Sequence, residues 1–197
     1  MIIILRFINM SAILYKIENN KLYIASDSII LFNGYIGSPN KKLQHIKDNV
    51  FFGATGVTDT IQYIIEYMRE NTFSSENPSL YELRKYFGSI CKEYSEISFE
   101  SAKFDVYGLL FIGKNIYKVS LSNEYDSKIE IIKMESDIGG VGWYEMGFGC
   151  MLCGDTPTIA LQKTIPYCSN LGFPIHQIVY DIEKDVILSD VFIDKEL

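Results

Sequence analysis

Residues 11–27 read SAILYKIENNKLYIASD, two β-prone runs separated by Glu18-Asn19-Asn20. The two runs, Ala12–Ile17 and Lys21–Asp27, contain the β-branched and aromatic residues that favour strands. Asparagine tolerates a positive φ angle, so the connecting residues suit a tight turn between antiparallel strands. The segment therefore predicts a β-hairpin close to the beginning of the chain.

Outside this hairpin, groups of strands alternate with pairs of helices. After a loop at 31–40, Lys42–Ile46 and Val50–Ala54 predict a second strand pair. From Val57 the apolar period changes to that of a helix, which Thr58 or Asp59 is expected to cap. The other predicted helices are Ser79 to about Tyr94, Trp143–Cys153 and Thr158–Cys168, and the other predicted strands are Phe104–Ile112, Asn115–Leu121, Lys128–Met134, Gln177–Ile182 and Val186–Phe192.

This order does not alternate strand and helix as a parallel sheet requires. It suits antiparallel sheets with helices segregated on their outer faces. We therefore expect an α+β fold, a four-layer αββα sandwich of two antiparallel sheets with helices on the outer faces. The chain has 197 residues, of which 48% are hydrophobic and 22% charged, which fits one domain with a sizeable core.

Charge and hydropathy exclude several classes of partner. The formal net charge of −7 argues against nucleic acid and anionic membranes, because phosphate binding needs clustered Lys and Arg. The apolar run at residues 1–9 is too short to span a membrane and lacks the order of a signal peptide. Residues 1–10 are interpreted as a leader, a propeptide or a mis-assigned start, and 11–197 as the domain. A cytoplasmic protein is expected.

The cysteines offer one motif with an alternative reading. Cys150-Met-Leu-Cys153 is a CxxC, which is compatible with zinc or redox chemistry. The chain has no second CxxC, and neither His45 nor His176 is close in sequence. An apolar helix with small buried cysteines is therefore favoured over a metal site, and a reducing compartment is expected.

Several motifs occur together in one order. The hairpin ends in Ala25-Ser26-Asp27, and Ser11 directly follows Met10. Lys42 precedes an apolar residue after the second turn. Further motifs are Gly53-Ala54-Thr55-Gly56-Val57-Thr58-Asp59, Ile138-Gly139-Gly140, and a helix that starts with Ala160-Leu161 and reaches Cys168. Together they resemble proteasome β-subunits and HslV-type peptidases over residues 11 to about 190.

The resemblance implies an N-terminal nucleophile hydrolase of the threonine type, with serine in place of threonine. Removal of residues 1–10 would expose Ser11, whose hydroxyl attacks a peptide carbonyl while its own α-amine takes the proton. An α-amine has a reference pKa of about 7.7–8.0, which suits a base near neutrality. Lys42 would lower that pKa further, and Asp27 would hold Lys42 charged. If Lys42 tunes the amine, Lys42→Ala should abolish peptide hydrolysis and leave thermal stability nearly unchanged, because most surface substitutions have small effects.

Other features of the site follow from the same resemblance. The backbone N–H of Thr55 would stabilise the oxyanion. Gly140 stands in the supporting turn where the family carries a serine. No metal or cofactor is expected, although a monovalent cation such as sodium is possible by resemblance. The implied partners are identical subunits in a ring, protein or peptide substrates, and an ATPase unfoldase.

Two other functions remain open from the sequence. One is a catalytically silent structural or assembly subunit with the same fold, and the other is hydrolysis of a small-molecule amide. A closed homo-oligomeric ring is expected because several aromatic and methionine residues add more apolar surface than one helix face can bury in a monomer. The alternative is that these residues complete a monomer core. They are Tyr63, Tyr67, Phe73, Trp143, Tyr144, Met146 and Phe148.

Overall fold

The computed structural model describes residues 11–28, 31–32, 35–36, 41–71, 73, 75, 77–97, 105–122, 128–142, 144–168 and 171–194. The predicted leader at 1–10 and Trp143 lie outside these residues. In chain order the elements are β1 (Ala12–Glu18), β2 (Lys21–Asp27), β3 (Leu31–Phe32), β4 (Tyr35–Ile36), β5 (Leu43–Lys47), β6 (Val50–Gly56), α1 (Thr58–Glu70), α2 (Leu80–Ile97), β7 (Asp105–Ile112), β8 (Asn115–Ser122), β9 (Lys128–Lys133), β10 (Ile138–Gly142), α3 (Glu145–Leu152), α4 (Pro157–Thr164), a 3₁₀ turn (Ile165–Tyr167), β11 (Ile175–Asp181) and β12 (Val186–Ile193).

The predicted N-terminal hairpin is confirmed. Strands β1 and β2 pair antiparallel, with Glu18 opposite Lys21. The two connecting residues, Asn19 and Asn20, have φ angles of 52° and 59°. Both fall in the left-handed region that asparagine tolerates better than most residues, and such two-residue turns match the twist of the flanking strands.

The strands form two antiparallel sheets of five within the described residues. Sheet A has the order β10-β1-β2-β11-β12, and sheet B has the order β5-β6-β7-β8-β9. Sheet A therefore joins the first strands of the chain to the last ones. Strands β3 and β4 pair separately with each other.

Three apolar clusters arrange these elements in four layers. Alternate residues of β1 and β2, such as Ile13 and Ile24, meet Phe51 and Leu109 of sheet B in a core between the sheets. The opposite face of sheet A packs on α3 and α4. The opposite face of sheet B packs on α1 and α2. The αββα sandwich predicted from the order of elements is the observed fold.

Helix α2 begins with a capping box. The Ser79 N–H donates to Glu82 Oε2 at 2.7 Å, and the Glu82 N–H donates back to Ser79 Oγ at 3.2 Å. Such reciprocal bonds satisfy N–H groups that a helix start leaves without partners. Helix α1 differs from the prediction, because Val57 occupies its cap position and makes no side-chain cap bond. Thr58 is the first helical residue, so neither it nor Asp59 is the cap.

Aromatic residues assigned from sequence to an outer surface instead complete the core beneath α1 and α2. Tyr63, Tyr67 and Phe73 are partly buried against the sheet B cluster. Tyr63 also contacts Tyr94, with ring centroids 5.0 Å apart, and Phe73 contacts Tyr86 at 4.3 Å. The expectation that these three side chains add exposed surface is wrong, because α2 covers them.

Exposed apolar side chains lie elsewhere, and α3, the 3₁₀ turn and β12 carry several of them. Met146 is 47% exposed, Leu152 65% and Tyr167 78%. Strand β12 is an edge strand that also exposes Leu188 and Phe192. Among the described helices, none has the length and apolarity needed to cross a membrane.

Candidate active site

Ser11 directly precedes β1, which lies between β10 and β2 in sheet A. Ser11 is 4% exposed. The N–H of Ala12 donates to Asp27 Oδ1 at 2.9 Å across the hairpin. The pairing of β1 with β2 therefore brings the first and last residues of the segment 11–27 together, as the sequence motif predicts.

Lys42 reaches this point from the other sheet. It directly precedes β5, and its carbonyl accepts a hydrogen bond from the N–H of Ala54 at 3.1 Å. Its Nζ lies 2.6 Å from Ser11 Oγ and 2.7 Å from Asp27 Oδ2. The Lys42 side chain is 9% exposed and that of Asp27 is 0% exposed. The structure thus brings Ser11, Asp27 and Lys42 into one buried hydrogen-bonded group.

Burial and charge act against each other on the lysine. Burial lowers the pKa of Lys42, because a low-dielectric surrounding disfavours the ammonium, and the nearby Asp27 carboxylate opposes this shift. The net pKa lies below the ordinary lysine value. Lys42 therefore gives up a proton more readily than a surface lysine does, while the carboxylate fixes the direction of its Nζ toward the hydroxyl.

Thr55 places its side chain near Ser11, while its N–H points away toward β7. Along β6 the N–H groups point alternately toward β5 and toward β7. The N–H of Ala54 donates to the Lys42 carbonyl on the β5 side, and the N–H of Val57 donates to the Asp105 carbonyl, at 3.2 Å, on the β7 side. Odd-numbered residues of β6 accordingly direct their N–H groups to β7, so that of Thr55 faces Tyr107, its register partner. The Thr55 methyl carbon lies 3.4 Å from the place where a Cβ on Gly142 would sit.

Gly56 is the last residue of β6 and lies opposite Val106. Only glycine fits there, since its φ angle is +128° and a Cβ would lie 1.8 Å from the Asp105 carbonyl oxygen. The oxyanion role that the sequence resemblance gave to the N–H of Thr55 stays a prediction.

Gly140 is not brought to Ser11. The segment Ile138–Gly142, interpreted from sequence as a turn, is strand β10, and Gly140 lies opposite Leu14. The residue opposite Ala12 is Gly142, two residues further along. Gly142 has a φ angle of +78°, and a Cβ there would lie 1.8 Å from the Ser11 carbonyl oxygen. The close approach of β10 to Ser11 therefore depends on Gly142.

The described residues contain no group of three or more His, Cys, Asp or Glu side chains arranged to hold a metal ion. The four cysteines are free thiols, and Cys150 and Cys153 lie at the C-terminal end of α3. The predicted absence of a cofactor and the sodium ion suggested by resemblance both stay predictions.

Solved structures with a similar fold cover most of the chain. BPH from Thiobacillus denitrificans, in complex with epoxomicin, aligns with a TM-score of 0.71 at 12% identity, covering 87% of this chain and 98% of its own. Anbu (ancestral beta-subunit) from Yersinia bercovieri aligns with a TM-score of 0.67 at 16% identity, covering 94% and 87%. A helical assembly of the Anbu complex from Pseudomonas aeruginosa aligns with a TM-score of 0.69 at 14% identity, covering 94% and 88%.

The fold is proteasome-like. The more specific resemblance inferred from sequence, to proteasome β-subunits and HslV-type peptidases, is wrong. No family model matches the chain, and no curated protein matches it. The similar structures named above are Anbu and BPH, and at 12–16% identity this similarity concerns the fold alone.

Proposed function

We propose that the chain is a proteasome-like peptidase in which Ser11 is the nucleophile. The observation that carries this proposal is the buried group of Ser11, Lys42 and Asp27, in which the lysine Nζ lies 2.6 Å from the serine hydroxyl. A lysine ammonium that donates to this hydroxyl stabilises the alkoxide that develops when the hydroxyl loses its proton. A merely structural salt bridge would not need to include that hydroxyl.

The proposed mechanism starts from a chain cleaved before Ser11. The hydroxyl attacks the carbonyl carbon of a peptide, and the free α-amine of Ser11 accepts the hydroxyl proton. Lys42, held by Asp27, places a positive charge beside the developing alkoxide and lowers the pKa of the amine. The tetrahedral oxyanion accepts a hydrogen bond from a backbone N–H at the end of β6. When the oxyanion collapses, the peptide C–N bond breaks, and the protonated α-amine gives its proton to the leaving amine. The neutral α-amine then takes a proton from water, which attacks the acyl-serine, and the proton returns to the Ser11 oxygen as the acid product leaves.

A chain that begins at Ser11 should hydrolyse fluorogenic peptides, and Ser11→Ala should reduce the rate to background. Such a chain can be made by cleaving a fused N-terminal tag directly before Ser11. Epoxomicin, the compound held by the similar BPH structure, gives a second readout. Intact mass should show one adduct on the Ser11 chain and none on Ser11→Ala. A chain that keeps residues 1–10 throughout and still hydrolyses peptides at the full rate would contradict the role of the α-amine.

The second candidate is a catalytically silent proteasome-like structural or assembly subunit. It is favoured by the 4% exposure of Ser11 and by the Thr55 N–H that faces β7 rather than the hydroxyl. A folded Ser11 chain with neither hydrolysis nor an epoxomicin adduct would select this candidate.

We further infer that the protein works as a homo-oligomer, in a ring with identical subunits. Four apolar side chains of α3, α4 and the 3₁₀ turn support this, because they are exposed and exposed apolar surface is typical of protein interfaces. They are Met146, Leu152, Ile159 and Tyr167. An ATPase unfoldase as partner and a cytoplasmic location are part of the same proposal.

Sedimentation at micromolar concentration should show a species several times heavier than 22.6 kDa. Leu152→Asp with Tyr167→Asp should shift it toward the monomer, whereas a wild-type monomer would remove the ring.

A further inference from the structure

A second charged group lies beside the proposed active site. It consists of Lys41, Asp190 and His176, which no motif in the sequence links. Lys41 Nζ lies 2.9 Å from Asp190 Oδ2, and His176 Nε2 lies 2.7 Å from Asp190 Oδ1. The carboxylate of β12 thus joins a histidine of β11 to a lysine that enters sheet B. This group links the two sheets.

The second group is adjacent to the first along both sheets. Lys41 directly precedes Lys42. His176 lies opposite Ser26 in the pairing of β11 with β2, and Ser26 directly precedes Asp27. The contacts of Lys41 with Asp190 and of Lys42 with Asp27 are therefore made by consecutive residues, so a backbone shift at Lys41 acts directly on Lys42. Through Lys42 such a shift changes the 2.6 Å contact with the Ser11 hydroxyl.

The protonation state of His176 follows from its contacts. A carboxylate only accepts hydrogen bonds, so the neutral ring donates from Nε2 to Asp190, and Nδ1 carries the lone pair. Within the described residues Nδ1 has no hydrogen-bond partner, and His176 is 0% exposed. Phe192 stacks on the ring with centroids 4.7 Å apart. A second proton would create a buried donor without an acceptor.

Two charged groups act on His176: Asp190 of β12, and Lys41, which precedes β5. The residue of β2 that lies opposite His176 is the uncharged Ser26. Burial lowers the pKa of His176; the Asp190 carboxylate opposes this and Lys41 adds to it. The folded chain therefore prefers the neutral ring. Since the folded pKa lies below the unfolded one, this preference stabilises the fold above about pH 6.5 and is lost as the pH falls toward the lowered pKa.

We propose that Lys41, Asp190 and His176 form a clamp that positions Lys42 on Ser11 and that loosens when His176 is protonated. The link to catalysis rests on the proposed function, whereas the positioning of Lys42 does not. Lys41 and Asp190 are 35% and 31% exposed, so their ion pair contributes little to overall stability. Its effect is on the geometry of the neighbouring lysine.

The test compares Asp190→Asn, which removes the carboxylate, with the control Asp155→Asn, which breaks the exposed 2.6 Å ion pair to Lys163. The readout is the NMR titration of the Lys42 side-chain Cε and Nζ in the full domain. We expect the Lys42 signal and its titration midpoint to move in Asp190→Asn and to stay in Asp155→Asn. If circular dichroism shows that Asp190→Asn does not fold, Lys41→Gln takes its place. This substitution removes the ion pair between Lys41 and Asp190 by changing the lysine instead of the carboxylate.

Peptide hydrolysis provides the second readout. We expect kcat to fall about tenfold in Asp190→Asn with KM unchanged, a loss of about 1.4 kcal/mol in transition-state stabilisation. His176→Gln keeps a donor to Asp190 and cannot be protonated, so the acid limb of its pH–rate profile should lose the contribution of His176 and keep that of the Ser11 α-amine. A Lys42 signal in Asp190→Asn that coincides with that of the wild type overturns the clamp. A moved signal in a chain that hydrolyses nothing supports the clamp and counts against the proposed function.

Discussion

Lys42→Met should reduce peptide hydrolysis by about 10²–10³-fold, the usual loss when a donor that stabilises developing negative charge is removed. The same change should lower the free energy of unfolding by about 3–5 kcal/mol, because it leaves the Asp27 carboxylate buried without its ion-pair partner. The sequence led us to expect nearly unchanged stability, on the premise that Lys42 is a surface residue. That premise is wrong, because the Lys42 side chain is 9% exposed and that of its partner 0% exposed.

The two effects of Lys42 can be separated with a second substitution. Asp27→Asn with Lys42→Met removes both charges, so we expect it to recover a large part of the lost stability and none of the activity. Lys163→Met, which breaks an ion pair whose lysine is 57% exposed, is the matched control and should change neither quantity. Urea unfolding and initial rates measure the outcome. Full turnover in Lys42→Met would exclude the lysine from the mechanism.

Gly142→Ala should lower the free energy of unfolding by at least about 4 kcal/mol, among the largest effects of single substitutions. Its φ angle of +78° is strained for any side chain, and the added Cβ would lie 1.8 Å from the Ser11 carbonyl oxygen. Strand β10 or the start of β1 must then move, so hydrolysis should also be lost. Urea unfolding followed by circular dichroism checks the first effect.

Gly149→Ala is the control for this substitution. Gly149 lies inside α3, and a Cβ there would meet no atom within 4 Å. Replacing glycine by alanine within a helix is expected to raise stability by about 0.5–1 kcal/mol. Equal effects of the two changes would show that β10 does not constrain Ser11.

The local elements could be predicted because each is encoded by residues near one another in sequence. The Asn19-Asn20 turn and the start of a helix at Ser79 are examples, and both are present. The order of elements then indicated the sandwich. The grouping of Ser11, Asp27 and Lys42 was also predicted, but from a resemblance and not from spacing. Their burial was not predicted, because it depends on how the two sheets pack.

Predictions failed where register or long-range packing decides. A glycine-rich strand has few side chains to fix its register, so the sequence did not distinguish Gly140 from Gly142. The sequence did not show the direction of the Thr55 N–H, because the alternation along β6 depends on its partners in β5 and β7. The contact of His176 with Asp190 and Lys41 joins residues far apart in sequence, which no local pattern encodes.

The arrangement of sheet A has a consequence during synthesis of the chain. Ser11 and Asp27 are made well before β11, yet β2 lies between β1 and β11 in the sheet. Sheet A therefore cannot close until β11 has been made, and such distant strand pairings form slowly. Lys42 arrives on a different sheet, so a nascent chain carries the serine without its partners correctly placed. A peptidase built in this way would stay inert on the ribosome and could not cleave other nascent chains beside it.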